Sequence, residues 1–103
     1  MKPANLKHLL IAAAATLAVS QIAHAYNGQS LAHEAKLSIA KARATALHAF
    51  PGKIVSEELE REQGGSGLRY SFDIRHDGVI QEVGVDARTG KVLENAPEGP
   101  NPD

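Results

Sequence analysis

From residue 38 to residue 50 the apolar positions Ile39, Ala42, Ala46 and Phe50 recur at helical spacing. Leu47 widens the stripe, and Lys41, Arg43 and His48 point elsewhere. A period of 3.6 residues predicts an amphipathic helix. Ser38 is placed to cap it and Pro51-Gly52 to stop it, although Lys41 stands where a capping box has Glu or Gln. Leu31, Ala32 and Ala35 continue the stripe backwards, so a start near Ser30 fits the pattern as well as one at Ser38.

After Gly52 the period falls to two. Leu68, Tyr70, Phe72 and Ile74 alternate with Arg69, Ser71, Asp73 and Arg75, the mark of a half-buried strand. His76 leads into Asp77-Gly78, a pair that favours positive φ and a two-residue hairpin, and residues 80–87 return with Val83, Val85 and Ala87 alternating. Such a loop sets His76 opposite Val79. Counting outward, Phe72 meets Val83, Tyr70 meets Val85 and Leu68 meets Ala87, so the apolar sets share one face. Ile74 opposite Gln81 is the mismatch on that face. On the other face Arg69 meets Asp86 favourably, while Asp73 meets Glu82 unfavourably with Arg75 diagonal to relieve it.

Asp86-Ala87-Arg88-Thr89-Gly90-Lys91 predicts a second turn: Asp86 hydrogen-bonds the backbone ahead of it, and Gly90 supplies the left-handed position. Val92 and Leu93 begin a short returning strand. Residues 53–62 read as a further strand with blurred alternation, because Val55 and Leu59 share a face with Glu57. The glycine-rich residues 63–67 join it to the hairpin. From Asn95 onward the chain carries Pro97, Pro100 and Pro102, and residues 96–103 read as a disordered tail. The fold class is α+β, one amphipathic helix on a small antiparallel sheet of three to four strands.

The N-terminus reads differently. Lys2 and Lys7 precede an apolar run from residue 9 to residue 19, and Ala23-His24-Ala25 has the small-x-small pattern of a signal-peptidase site. The run is shorter than the ~20 residues a helix needs to span a bilayer. Residues 1–25 are therefore expected to be a cleaved signal peptide, residues 26–36 a lead-in and residues 37–95 the domain. The cut falls between Ala25 and Tyr26, and export favours a periplasmic or secreted protein with no stable membrane insertion.

Composition narrows the function classes. The 103-residue chain has no cysteine, which excludes a disulfide scaffold, a thiolate metal site and a cysteine nucleophile. Its formal charge is −1; without Lys2 and Lys7, nine basic residues face twelve acidic ones. That balance argues against nucleic acid and anionic lipid as partners. The core is thin, so an enclosed pocket large enough for a substrate would displace much of it.

The candidate sites are weak as chemistry. His33, His48 and His76 have no metal-ligand spacing, and three solvated side chains are the expectation. Glu57, Glu58, Glu60 and Glu62 form the densest acidic run, readable as a cation site, a surface for a basic partner, or an edge strand too charged to aggregate. Around Ser66, Gly64 fills one place of a nucleophile elbow but Leu68 occupies the other, and no strand-to-helix turn is present. No catalytic, cofactor or metal residue is assigned. The sheet's solvent face, with Arg69, Asp73, Arg75, Ile80 and Glu82, joins Glu58 and Glu60 as the candidate docking surface. Asp77, Gly78, Asp86, Thr89 and Gly90 are read as turn residues.

The stretches LSIAKARATALHAFPGKIVSEELERE, GGSGLRYSFDI and QEVGVDARTGKVLEN resemble the PepSY domain, from about Leu37 to Asn95. The most distinctive part is the ending from Val85 to Leu93, and the helix with Pro51-Gly52 is the next. The resemblance implies a helix on an antiparallel sheet and a non-enzymatic protein that binds and restrains a peptidase. No protease domain follows in the sequence, so restraint would act in trans. The rival expectations are a small ligand- or metal-sensing accessory protein using residues 57–62 with a nearby histidine, and an assembly role beside a membrane complex.

Overall fold

A computed structural model describes residues 25–99. The proposed signal segment before Ala25 and the tail from residue 100 lie outside those residues. A 3-10 turn, Gln29–Glu34, is followed by helix α1, Ile39–Ala49, and by strands β1 Lys53–Arg61, β2 Leu68–His76, β3 Val79–Asp86 and β4 Val92–Pro97. The strands form one antiparallel sheet in the order β1-β2-β3-β4.

Both proposed helix starts correspond to real elements. The Ser38 hydroxyl accepts the Lys41 N–H at 3.1 Å and caps α1. The stripe around Leu31 belongs instead to the separate 3-10 turn, because Ala35 is extended and breaks the run. Ala42 and Ala46 are fully buried, and their small side chains let α1 lie close on the sheet.

The core lies between α1 and one face of the sheet: Leu59, Leu68, Tyr70, Phe72, Ile74, Val83, Val85 and Ala87. The hairpin has the register that its two-residue turn dictates, His76 opposite Val79 through Arg69 opposite Asp86. Asp77 and Gly78 both take positive φ, 50° and 77°. The Ala87 N–H then donates to the Leu68 carbonyl at 2.9 Å. Ile74, mismatched against Gln81, is buried by Ile54 on its other side.

A bulge between Ile54 and Ser56 explains the blurred alternation of β1. The extra residue, Val55, stands exposed, and the parity on either side reverses. Ile54 and Leu59 therefore both reach the core. Glu57, on the core side, is neutralised by Arg43 of α1 through two hydrogen bonds of 2.7 and 2.8 Å.

The tail expectation requires correction. Asn95, Ala96 and Pro97 belong to β4, opposite Val83, Glu82 and Gln81, and the Glu98 N–H donates to the Ile80 carbonyl at 2.8 Å. Pro97 is accommodated because β4 is an edge strand, where a missing N–H breaks no ladder.

Candidate functional site

On the sheet face away from α1, β1 contributes Ser56, Glu58 and Glu60, β2 contributes Ser71 and Asp73, and β3 contributes Glu82. With Glu98, just beyond β4, they line an open polar hollow of about 150 Å³. Alternation along each strand makes the gathering: residues two apart share a face, and the registers set Ser56 beside Asp73, Glu58 beside Ser71 and Asp73 beside Glu82.

The hollow concentrates negative charge. One carboxylate oxygen each from Asp73, Glu82 and Glu98 lies within 4.8 Å of the others. The Ser56 hydroxyl donates to Asp73 at 3.1 Å and the Ser71 hydroxyl to Glu60 at 2.8 Å. Glu58 is held above the usual carboxylate range by its hydrogen bond with Glu60, by burial, and by repulsion from Glu60, Asp73 and Glu62. Like charges on neighbouring strands cost stability, and a cation placed among them recovers it.

The structure brings four of the proposed docking residues together: Glu58, Glu60, Asp73 and Glu82. It treats the others differently. Arg75 is exposed and Ile80 half-buried towards the hairpin end. Arg69 is only 7% exposed and offers no docking surface. Its stem lies over Gly84, and its guanidinium donates to Glu62 at 2.7 Å and to the Gln63 carbonyl at 3.0 Å, with Glu94 at 3.4 Å. The favourable contact expected between Arg69 and Asp86 is therefore replaced: the two share a register, but each carboxylate and guanidinium group is engaged elsewhere.

Asp86 is engaged by its own turn. Its carboxylate accepts the N–H and hydroxyl of Ser66 and the N–H groups of Arg88 and Thr89. Burial pushes its pKa up, but these four donors outweigh it and hold the group at about 2. Gly90, at φ 81°, completes the turn, and its N–H donates to the Asp86 carbonyl at 2.9 Å. Ser66 thus works as a fastener for the glycine-rich loop.

The histidines do not converge. His33 lies beside Glu34, His48 is exposed on α1, and His76 meets Asp77 and the edge of Phe50. Among the described residues, the group close enough to share a cation is Asp73, Glu82 and Glu98, all oxygen donors suited to a hard ion. The expected combination of residues 57–62 with a histidine is not assembled, because Glu57 faces Arg43 and Glu62 faces Arg69. Sequence reasoning missed Glu98. Its signal was the register of β4, which the turn at Gly90 and a bulge at Gly84/Val85 concealed.

The model of the PepSY family, described as "Peptidase propeptide and YPEB domain", matches residues 36–95, more than half of the chain. This chain belongs to the PepSY family. No curated protein and no solved structure matches it. The helix-on-sheet fold agrees with the architecture expected of a PepSY domain. The match begins at residue 36, so this PepSY chain carries a further structured segment, Tyr26 to Ala35, ahead of the matched region. Among the described residues, no helix is long and apolar enough to cross a membrane.

Proposed function

We propose that this chain is an exported, non-enzymatic PepSY protein that binds a peptidase in trans and restrains it, docking through the acidic hollow on the outer face of the sheet. The observation that carries the reading is the five carboxylates of Glu58, Glu60, Asp73, Glu82 and Glu98 lining one open hollow on a continuous sheet. A lysine or arginine from a partner entering there would relieve the repulsion of Glu58 by Glu60 and Asp73, and a rigid sheet asks little ordering of the docking groups. Family membership supports the choice of a peptidase as partner.

The test uses the chain as bait for cross-linking in an envelope extract, followed by an activity assay of each captured peptidase. A peptidase bound and slowed by the native chain, but released by Glu58→Lys with Glu82→Lys, supports the reading. If no envelope peptidase is bound or slowed, the reading is wrong. Export is tested separately: the N-terminal residue of the exported protein is expected to be Tyr26.

The carboxylate trio Asp73, Glu82 and Glu98 favours a second reading, a small accessory protein that senses a divalent cation. Titration with Ca²⁺ followed by calorimetry decides it, and the absence of saturable heat removes it.

A further inference from the structure

The segment ahead of the family-matched region docks on the outer edge of β1, which no other strand covers. Asn27 forms a parallel bridge with Glu58, and the Leu59 N–H donates to the Asn27 carbonyl at 2.8 Å. Gly28 follows at φ 84°, pressed so closely on β1 that a Cβ there would collide with the Leu59 carbonyl oxygen. The Tyr26 ring packs on Tyr70, centroids 6.5 Å apart and tilted by 57°. Beneath this strap lie two core side chains, Leu59 at 2% and Tyr70 at 1% exposure.

The attachments of the strap are of a weaker kind than those of the sheet. One main-chain hydrogen bond of 2.8 Å joins residues 26–28 to β1, whereas the 3-10 turn that follows is anchored separately, by Leu31, Ala32 and Ala35 against the core and by Arg61 and Arg88 on Glu34. β1 and β2, by contrast, pair from Lys53 opposite Arg75 to Arg61 opposite Leu68, interrupted only at the Val55 bulge. Segments with few buried contacts open locally while the core stays folded. Opening here leaves the Leu59 N–H without its acceptor and uncovers the flank of Tyr70. A segment that supplies a carbonyl and an aromatic ring restores both contacts, and a glycine after them permits the left-handed turn and the close approach to the Leu59 carbonyl.

We propose that the outer edge of β1 is a strand-accepting site, occupied at rest by residues 26–28 and open to an extended peptide of another protein that carries an aromatic residue two positions before a glycine. Main-chain pairing at Leu59 supplies affinity, and the Tyr70 flank and the close approach at Leu59 supply specificity. The strap is then a built-in competitor. The two sites meet at Glu58: the strap pairs with its main chain along the sheet edge, whereas the acidic hollow uses its side chain on the sheet face.

Hydrogen exchange read residue by residue on the full chain tests it. Gly28→Val is expected to speed exchange of the Leu59 amide by about tenfold or more, with the amides of β2 and β3 unchanged. Adding the synthetic peptide YNGQSLAHEA is expected to restore Leu59 protection, and the same peptide with Ala for Tyr or Val for Gly is expected not to. Should Gly28→Val unfold the protein, Tyr26→Ala gives the same reading. Loss of Leu59 and core protection together in both variants would make the strap part of the core and overturn the proposal. So would failure of the peptide to protect Leu59, or protection that tracks formation of a dimer exchanging straps.

Discussion

The carboxylate of Asp86 accepts both the backbone N–H and the hydroxyl of Ser66, at 2.6 and 2.7 Å, across twenty residues of sequence. The same group accepts the N–H of Arg88 at 2.8 Å and of Thr89 at 3.1 Å, so one buried side chain ties the glycine-rich loop to the β3–β4 turn. Removing it strands four donors at once. Asp86→Ala is expected to destabilise the fold by about 3 kcal/mol, and Ser66→Ala by about 1 kcal/mol, because only the hydroxyl bond is lost there. Urea unfolding of each variant checks this, the midpoint falling while the slope stays constant.

Acid should act on Asp86 and Glu58 with opposite signs. Asp86 has a folded pKa of about 2, below the ~3.9 of an unfolded chain. Its stabilisation is complete above the unfolded value and is lost as pH falls from about 4 towards 2, a total of about 2–3 kcal/mol. Glu58 has a folded pKa raised above its unfolded one, first by its hydrogen bond with Glu60. It disfavours the fold at neutral pH, and stability returns as pH falls through its raised value. The expected profile is a stability maximum on the acidic side of neutrality with a steep loss below pH ~4. Glu58→Gln should flatten the acidic rise and stabilise the neutral protein by about 0.5 kcal/mol. Thermal unfolding across the pH range measures both.

The sheet and its central register were legible because a two-residue turn leaves a single counting rule, and Asp77-Gly78 satisfied it with two positive φ angles. Ser38 was legible as a cap for the same local reason. What escaped depended on distant partners. Arg69 alternates like a solvent-facing residue, yet Glu62 and Gln63 from the loop after β1 and Glu94 from β4 engage it. Three prolines made residues 95–97 resemble a tail, although an edge strand tolerates Pro97. The hollow was half visible in the alternation of Glu58 and Glu60 and the pairing of Asp73 with Glu82. Glu98 joined it only through the β4 register, which the bulge at Gly84/Val85 obscures.

Tyr70 reaches from the centre of the sheet to the Leu37 carbonyl, donating its hydroxyl at 2.7 Å just ahead of the α1 cap. Burial, followed by the nearby Tyr26, pushes its pKa up to about 12, so the donor stays protonated throughout the range of stable folding. Tyr70→Phe keeps the ring packing against Phe72 and removes the tether. The expected cost is about 1–2 kcal/mol. Amide exchange at the start of α1 should quicken more than exchange in β3. Equal changes at both would place the effect of the hydroxyl in the core instead of at the helix entry.

Gly84 occupies β3 for want of space. A Cβ built there would stand 2.9 Å from Arg69 Cδ and 3.3 Å from Glu94 Cβ. The Arg69 stem has little freedom to yield, because its guanidinium is pinned by Glu62 at 2.7 Å and by the Gln63 carbonyl at 3.0 Å. Gly84→Ala should therefore cost about 1–3 kcal/mol, despite alanine's lower chain entropy in the unfolded state. Shortening the obstacle reverses the balance. In an Arg69→Ala background, the same Gly84→Ala change should be neutral or stabilising by about 0.5 kcal/mol, since Glu94 alone sits at a distance that a small shift relieves. A double-mutant cycle by urea unfolding measures the coupling directly. Strong non-additivity places the conflict at the Arg69 stem; simple additivity would move it to β4 and Glu94.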